Sequence, residues 1–216
     1  MQDLHMKYNI VARNCGLIPP EASGWFRKEI NTVDDLKGLK MRFFGLGANV
    51  MQKMGVATQL LQAGEIFQAL QLGTIDATEF SMPAMDLSLG FHQVAKFYYF
   101  PGWHQQTSIG QLYISKKKWE EFSAHQKDVI ELACKAQMLD EVSEADAKQA
   151  GAMKELQGKG VQIKTWSPEI LKAFEAKWQE VVKEESAKSP AFKEVMASYD
   201  KYRADYAVWK KNGYLK

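Results

Sequence analysis

Between Gly38 and Trp103 the chain alternates short apolar runs of strand length with short segments of helical period. That rhythm restricts it to folds in which helices cover a sheet. "LKMRFF" reads as a strand and "GANVMQKMG" as a helix closed by Gly55. "VATQLL" is the next strand, "AGEIFQALQLG" a helix ending at Gly73, and "IDATEFS" a strand. "MPAMDLSLGFHQVA" reads as a helix with Pro83 in its first turn, and "KFYYFPGW" as a strand. Upstream, "KYNIVARN" reads as a strand and "TVDDLKG" as a capped turn. The pattern predicts a parallel α/β sheet, in which ligands sit beyond the carboxyl ends of the strands.

From Ser108 the texture changes. "SIGQLYIS" alternates as a strand and "KKKWEEF" opens a helix. A long amphipathic helix follows, with Ser123 as N-cap, Gly158 as stop, and Val129, Leu132, Ala133 and Ala136 on one face. "VQIKTW" is a lone strand. Ser167 and Pro168 start another helix, and after Pro190 the segment "AFKEVMASYDKYRADYAVW" carries an aromatic stripe from Phe192 to Trp209.

The 216 residues, 46% hydrophobic and 25% charged, can bury a sizeable core in one or two domains. A net charge of +2, with both signs mixed along the chain, gives no basic stripe for nucleic acid. No apolar run reaches the length of a spanning helix, and "MQDLHMKYNIV" lacks the pattern of a signal peptide. Cys15 and Cys134 match no metal spacing; one lies in a strand-like run and the other on the apolar side of a helix, so two buried reduced thiols are expected. His5, His92 and His125 read as surface or packing residues. No nucleophile elbow, Walker-type phosphate loop, HExxH or cofactor motif occurs, which speaks against an enzyme.

The singular residue is Arg42, a lone charge in an apolar strand, pointing away from the face of Met41 and Phe43. A guanidinium presents a planar fork of donors, and where desolvated it needs a carboxylate or phosphate partner. That partner is either a ligand or a protein acid: Glu21, Glu79 or one at the surface.

The run "GLKMRFFGLGANVMQKMGVATQLLQAGEIFQALQLGTIDATEFSMPAMDLSLGFHQVAKFYYFPGWHQQ", with "PPEASGWFRKEINTVDDLKG" before it and "LYISKKKWEEFS" after it, resembles the solute-binding proteins of tripartite ATP-independent periplasmic (TRAP) transporters. Within that family it is similar to the branch that binds α-keto acids. The resemblance implies a periplasmic-binding-protein-like two-lobed α/β fold with a long spanning helix. A second-lobe domain would cover 8–96, and 97–216 would form the remainder of a first lobe whose opening strands are missing. A homodimer covering the exposed face is expected.

The resemblance also implies the site. Arg42 would grip the carboxylate of a small organic anion, at the end of a cleft formed with Glu79, Phe80, Trp103, His104 and Gln105, and with Trp25 and Phe26 on the apolar side. Glu79, the Phe80 carbonyl and Glu21, which stands where the branch has an amide, would hold Na⁺ or Ca²⁺ beside the ligand. The alternative leaves Glu21 as a partner of Arg42 or Arg27. No further cofactor is implied. The partners would be the anion and the membrane permease subunits, in the periplasm, with no nucleic acid and no membrane insertion. Two other readings stay open: a truncated module that folds and associates without transport, and an enzyme with an anion site.

Overall fold

Cap and turn residues set the element boundaries. In the computed structural model, which describes residues 2–214, a short helix α1 (Gln2–Met6) leads into the strand β1 (Ile10–Ile18). Met1, at the start of the N-terminal stretch read above, and residues 215 and 216, at the end of the expected 97–216 unit, lie outside the described residues. Strand β2 (Gly24–Phe26) follows Pro19 and Pro20. A 3-10 turn at Val33–Leu36, held by a capping box between Thr32 and Asp35, precedes β3 (Lys40–Arg42). Next come α2 (Leu46–Lys53), β4 (Ala57–Gln59), α3 (Ala63–Leu72) and β5 (Ala77–Thr78).

Helix α4 (Pro83–Leu89) begins at Pro83 and ends at Gly90, whose φ of 75° is left-handed. The longer helix expected there breaks at that glycine and resumes only as a 3-10 turn, Phe91–Gln93, carrying His92. Strands β6 (Phe97–Phe100) and β7 (Ser108–Ser115), helices α5 (Lys116–Glu121) and α6 (Ala124–Gly158), strand β8 (Gln162–Thr165) and helices α7 (Pro168–Lys188) and α8 (Pro190–Asn212) complete the chain. Ser123, Ser167 and Ser189 each accept a backbone N–H at the starts of α6, α7 and α8.

Six strands form one sheet in the order β4-β3-β5-β2-β6-β8. The sheet is mixed, which corrects the all-parallel expectation. β3 runs parallel to β4 and β5, and β6 to β8, but β2 is antiparallel to both its neighbours, β5 and β6. The reason is local: β2 is three residues long, too short to register as a strand in the sequence, and it enters the sheet centre from the opposite direction. The sheet draws on both sides of residue 96, since β6 and β8 belong to it.

Met41, Phe43, Val50, Met51 and Phe174 fill one face of the sheet beneath α2 and α7. Trp25, Ile66, Leu70, Phe91, Tyr98 and Leu156 fill the other. Strands β1 and β7 form a separate antiparallel pair. Helix α6 spans the two sheets. Along β1 its Glu141 accepts the Leu17 N–H at 2.7 Å, and farther on its Gln149 accepts the Ala84 N–H at 3.0 Å and Leu156 enters the core of the large sheet.

Cys15 on β1 and Cys134 on α6 are joined in a disulfide, which corrects the expectation of free thiols. The sequence offered only their separation. What brings them together is the packing of α6 along β1, a contact between elements more than a hundred residues apart. Such a bond belongs to an oxidising compartment.

Outside the cores, α8 leaves Tyr199, Tyr202, Val208 and Trp209 exposed, and the smaller sheet and α6 leave Ile109, Tyr113, Leu132 and Leu139 exposed.

Candidate functional site

The strand directions bring four chain segments to one edge of the large sheet. β3 ends there at Arg42, and β5 ends there at Thr78, leading into Glu79 and Phe80. Because β2 runs the other way, its beginning reaches the same edge and carries Glu21. β6 ends there too and delivers the turn from Pro101 to Gln105. Backbone hydrogen bonds tie the segments: Glu79 N–H to Arg42 O at 3.1 Å, Ala22 N–H to Ser81 O at 3.0 Å, Gly102 N–H to Glu21 O at 3.1 Å, and Glu21 N–H to Gln105 O at 3.2 Å. Gly102 is required by this approach, since a Cβ there would collide with the Glu21 carbonyl.

Arg42 is buried beside Glu79. Its Nη1 donates to the Glu79 carbonyl at 2.8 Å and to Glu79 Oε2 at 2.7 Å, and its guanidinium lies 5.5 Å from the Phe80 ring centre. The same Oε2 accepts the Phe44 N–H at 3.3 Å. Of the protein acids considered for Arg42, Glu79 is the partner found. The pair occupies one side of the fork; Nη2 makes no hydrogen bond to a described residue.

Glu21 is buried close by, and its Oε2 has no partner among the described residues. Burial, then the nearby Glu79 and Asp86 carboxylates, push its carboxyl up to about 7. His104 has a buried side chain with Nε2 3.8 Å from Glu79 Oε1, too long for a hydrogen bond, and neither ring nitrogen has a hydrogen-bond partner among the described residues. Glu21, Glu79 and His104 each offer a ligand atom within 4.8 Å of the others. Trp103 is half-buried and stacks on Phe174 with centroids 4.6 Å apart.

The structure therefore brings together Arg42, Glu79, Phe80, Glu21, His104 and Gln105, with Trp103 at the edge. Trp25 and Phe26 lie deeper, on opposite faces of the sheet. Trp25 stacks on Tyr98 at 3.9 Å, and Phe26 packs against Tyr99 and Trp166 at 5.2 and 5.6 Å.

Sequence reasoning missed Asp86. It sits on α4, completely buried, and its Oδ2 accepts Trp25 Nε1–H at 2.9 Å and Tyr98 O–H at 2.7 Å, while Oδ1 has no partner among the described residues. The available signal was an acid three residues after Pro83 on an otherwise apolar helix face. Burial pushes its carboxyl up to about 7 despite those two donors. The unfolded chain would lose this proton near pH 4, so the fold loses stability as pH rises from about 4 to 7. Asp86→Asn cannot ionise and should remove this part of the loss, on the order of 4 kcal/mol for a group moved from its ordinary range to about 7. Glu21 leaves a residual slope between about 4.5 and 7. Melting temperatures at pH 5 and pH 8 in chelator test this; equal losses in both proteins would refute it.

Residues 21–189 match the model of the DctP family, bacterial extracellular solute-binding protein family 7. A monocarboxylate 2-oxoacid-binding periplasmic protein of Nostoc sp. is 32% identical over 97% of this chain. A TRAP transporter solute-binding protein of Bordetella bronchiseptica, solved as a mixed-occupancy dimer with calcium and picolinate, is 35% identical over 97% of this chain, with a TM-score of 0.92. One from Pseudoalteromonas atlantica, solved with sodium and pyruvate, is 31% identical over 98%, with a TM-score of 0.90. The chain spans 57% of the Nostoc protein and 62% and 64% of the two solved chains.

Proposed function

Because the chain belongs to family 7 of the bacterial extracellular solute-binding proteins, we propose that it captures a small 2-oxo monocarboxylate of the pyruvate class, in the periplasm, for a TRAP permease. One observation carries this reading: a buried arginine with a free amino group, set at the loop edge of the sheet beside two carboxylates it only partly neutralises. The open Nη2 side of Arg42 takes the ligand carboxylate, because a planar fork fixes the orientation of an anion as well as its charge. Phe80 and Trp103 wall the site with aromatic surface. A short acyl chain or ring suits such walls better than a sugar acid, which needs many hydroxyl partners. Trp25 and Phe26 act from beneath, as packing for the strand that carries Glu21 towards the site.

The donor set fits a cation. Glu21 Oε2 is an orphaned buried acceptor, and two carboxylates face one guanidinium. Glu79, Glu21 and the Phe80 carbonyl would hold the ion, which would offset the carboxylate repulsion and offer positive charge to the anion. Two carboxylates favour a divalent ion over Na⁺. The backbone bond from the Glu21 N–H to the Gln105 carbonyl, at 3.2 Å, holds the Glu21 segment in place. Contacts from both sides of the site shift an open-closed equilibrium on binding.

The alternative, a module that associates without transport, draws on the apolar residues α8 leaves exposed. A second copy would cover them.

Calorimetry separates the readings. Pyruvate or picolinate should bind the calcium-loaded protein, and chelation should weaken binding at least tenfold, with Ca²⁺ restoring it. No heat with either anion, in calcium or in sodium, would refute anion capture.

A further inference from the structure

His104 is the member of the cluster that a hard-cation site does not account for. Its side chain is only 6% exposed, and neither nitrogen has a hydrogen-bond partner among the described residues. An unpaired buried imidazole is costly to the fold. Edge contact with Phe43, at 4.9 Å between centroids, orients the ring and satisfies neither nitrogen.

The separation of Nε2 from Glu79 Oε1, 3.8 Å, is too long for a hydrogen bond and suits two donors of one ion. Donors each about 2.1 Å from a metal stand roughly 3.0 to 4.2 Å apart at tetrahedral and octahedral angles. Glu21 Oε2 is an open acceptor, and Glu21, Glu79 and His104 each place one ligand atom within 4.8 Å of the others, so a small side-chain rotation closes the set. Outer contacts already aim one ligand: Arg42 and the Phe44 N–H hold the far oxygen of Glu79.

Oxygen-only sites suit Ca²⁺ and Na⁺, whereas an imidazole nitrogen beside two carboxylates suits Zn²⁺, Co²⁺ and their neighbours. We propose that His104 ligates the cation through Nε2, so that this chain takes a first-row transition ion in preference to calcium or sodium. This rests on the reading of the site as a cation-assisted anion receptor and names the class of its cation.

The test uses untagged protein stripped of metal. Co²⁺ titrated into wild type should give visible d–d bands, with X-ray absorption reporting one imidazole nitrogen. Zn²⁺ should displace Co²⁺ and bind at least tenfold tighter than Ca²⁺ by calorimetry. His104→Gln should lose most of that margin, and His125→Gln, at an exposed position on α6, should keep it. The wild-type cobalt spectrum needs no variant, so misfolding of His104→Gln cannot obscure the answer. Zn²⁺ no tighter than Ca²⁺, or a cobalt site without nitrogen, overturns the proposal. If pyruvate still binds the calcium form in that case, the receptor reading stands; if pyruvate binds neither the calcium form nor the metal-free protein, the receptor reading fails too.

Discussion

Arg42→Lys is expected to leave the fold intact and to weaken pyruvate binding ten- to a hundred-fold, about 1.5–3 kcal/mol. Lysine keeps a positive charge near Glu79, so the buried carboxylate retains a counter-ion. It cannot serve Glu79 with one donor and present a second, coplanar donor to a ligand, as Arg42 does with Nη1 engaged at 2.7 Å and Nη2 open. The companion variant Arg42→Met removes the charge altogether and strands Glu79 in the interior. It should cost about 3–5 kcal/mol of stability, and Arg42→Met with Glu79→Gln should recover much of that. Calorimetry with unchanged affinity in Arg42→Lys would reduce the arginine to a structural ion pair.

The second large effect concerns the Cys15–Cys134 bond, which closes a loop over a sequence separation of 119. Loop-closure entropy assigns a cross-link of this span about 4–5 kcal/mol. For a chain of this size that corresponds to a fall in melting temperature of roughly 10–15 °C. Thermal melts with and without reductant should differ by that order in wild type and by nothing in Cys15→Ser with Cys134→Ser. Coincident wild-type melts would contradict the account of α6 pinned to β1.

Helices were legible because their stop and start signals are local. Ser123 and Ser167 each cap the helix the sequence assigned to them, and Gly73 ends α3 in the left-handed conformation that position needs. Strand direction was not legible. "GWF" carries no period long enough to reveal that β2 runs against its neighbours, yet that reversal is what carries Glu21 to the edge where Arg42 ends. Arg42 stood out as a charge without a local reason, and Glu79 stood among its candidate partners. The disulfide and Asp86 escaped for one shared cause. Each depends on a contact between distant segments, α6 with β1 in one case and α4 with Trp25 and Tyr98 in the other, that no window of sequence contains.

On this reading Arg42 and the acids beside it form a receptor site for a small organic anion and a cation. Native mass spectrometry of the purified, untagged chain addresses it directly, because one spectrum reports anion, metal and copy number together. Added pyruvate and a divalent ion should shift the mass by one of each per chain, Arg42→Lys should need ten to a hundred times more pyruvate for the anion shift, and the species should be a dimer. A bare monomer, unchanged by pyruvate or picolinate in the presence of calcium, zinc or sodium, would contradict it.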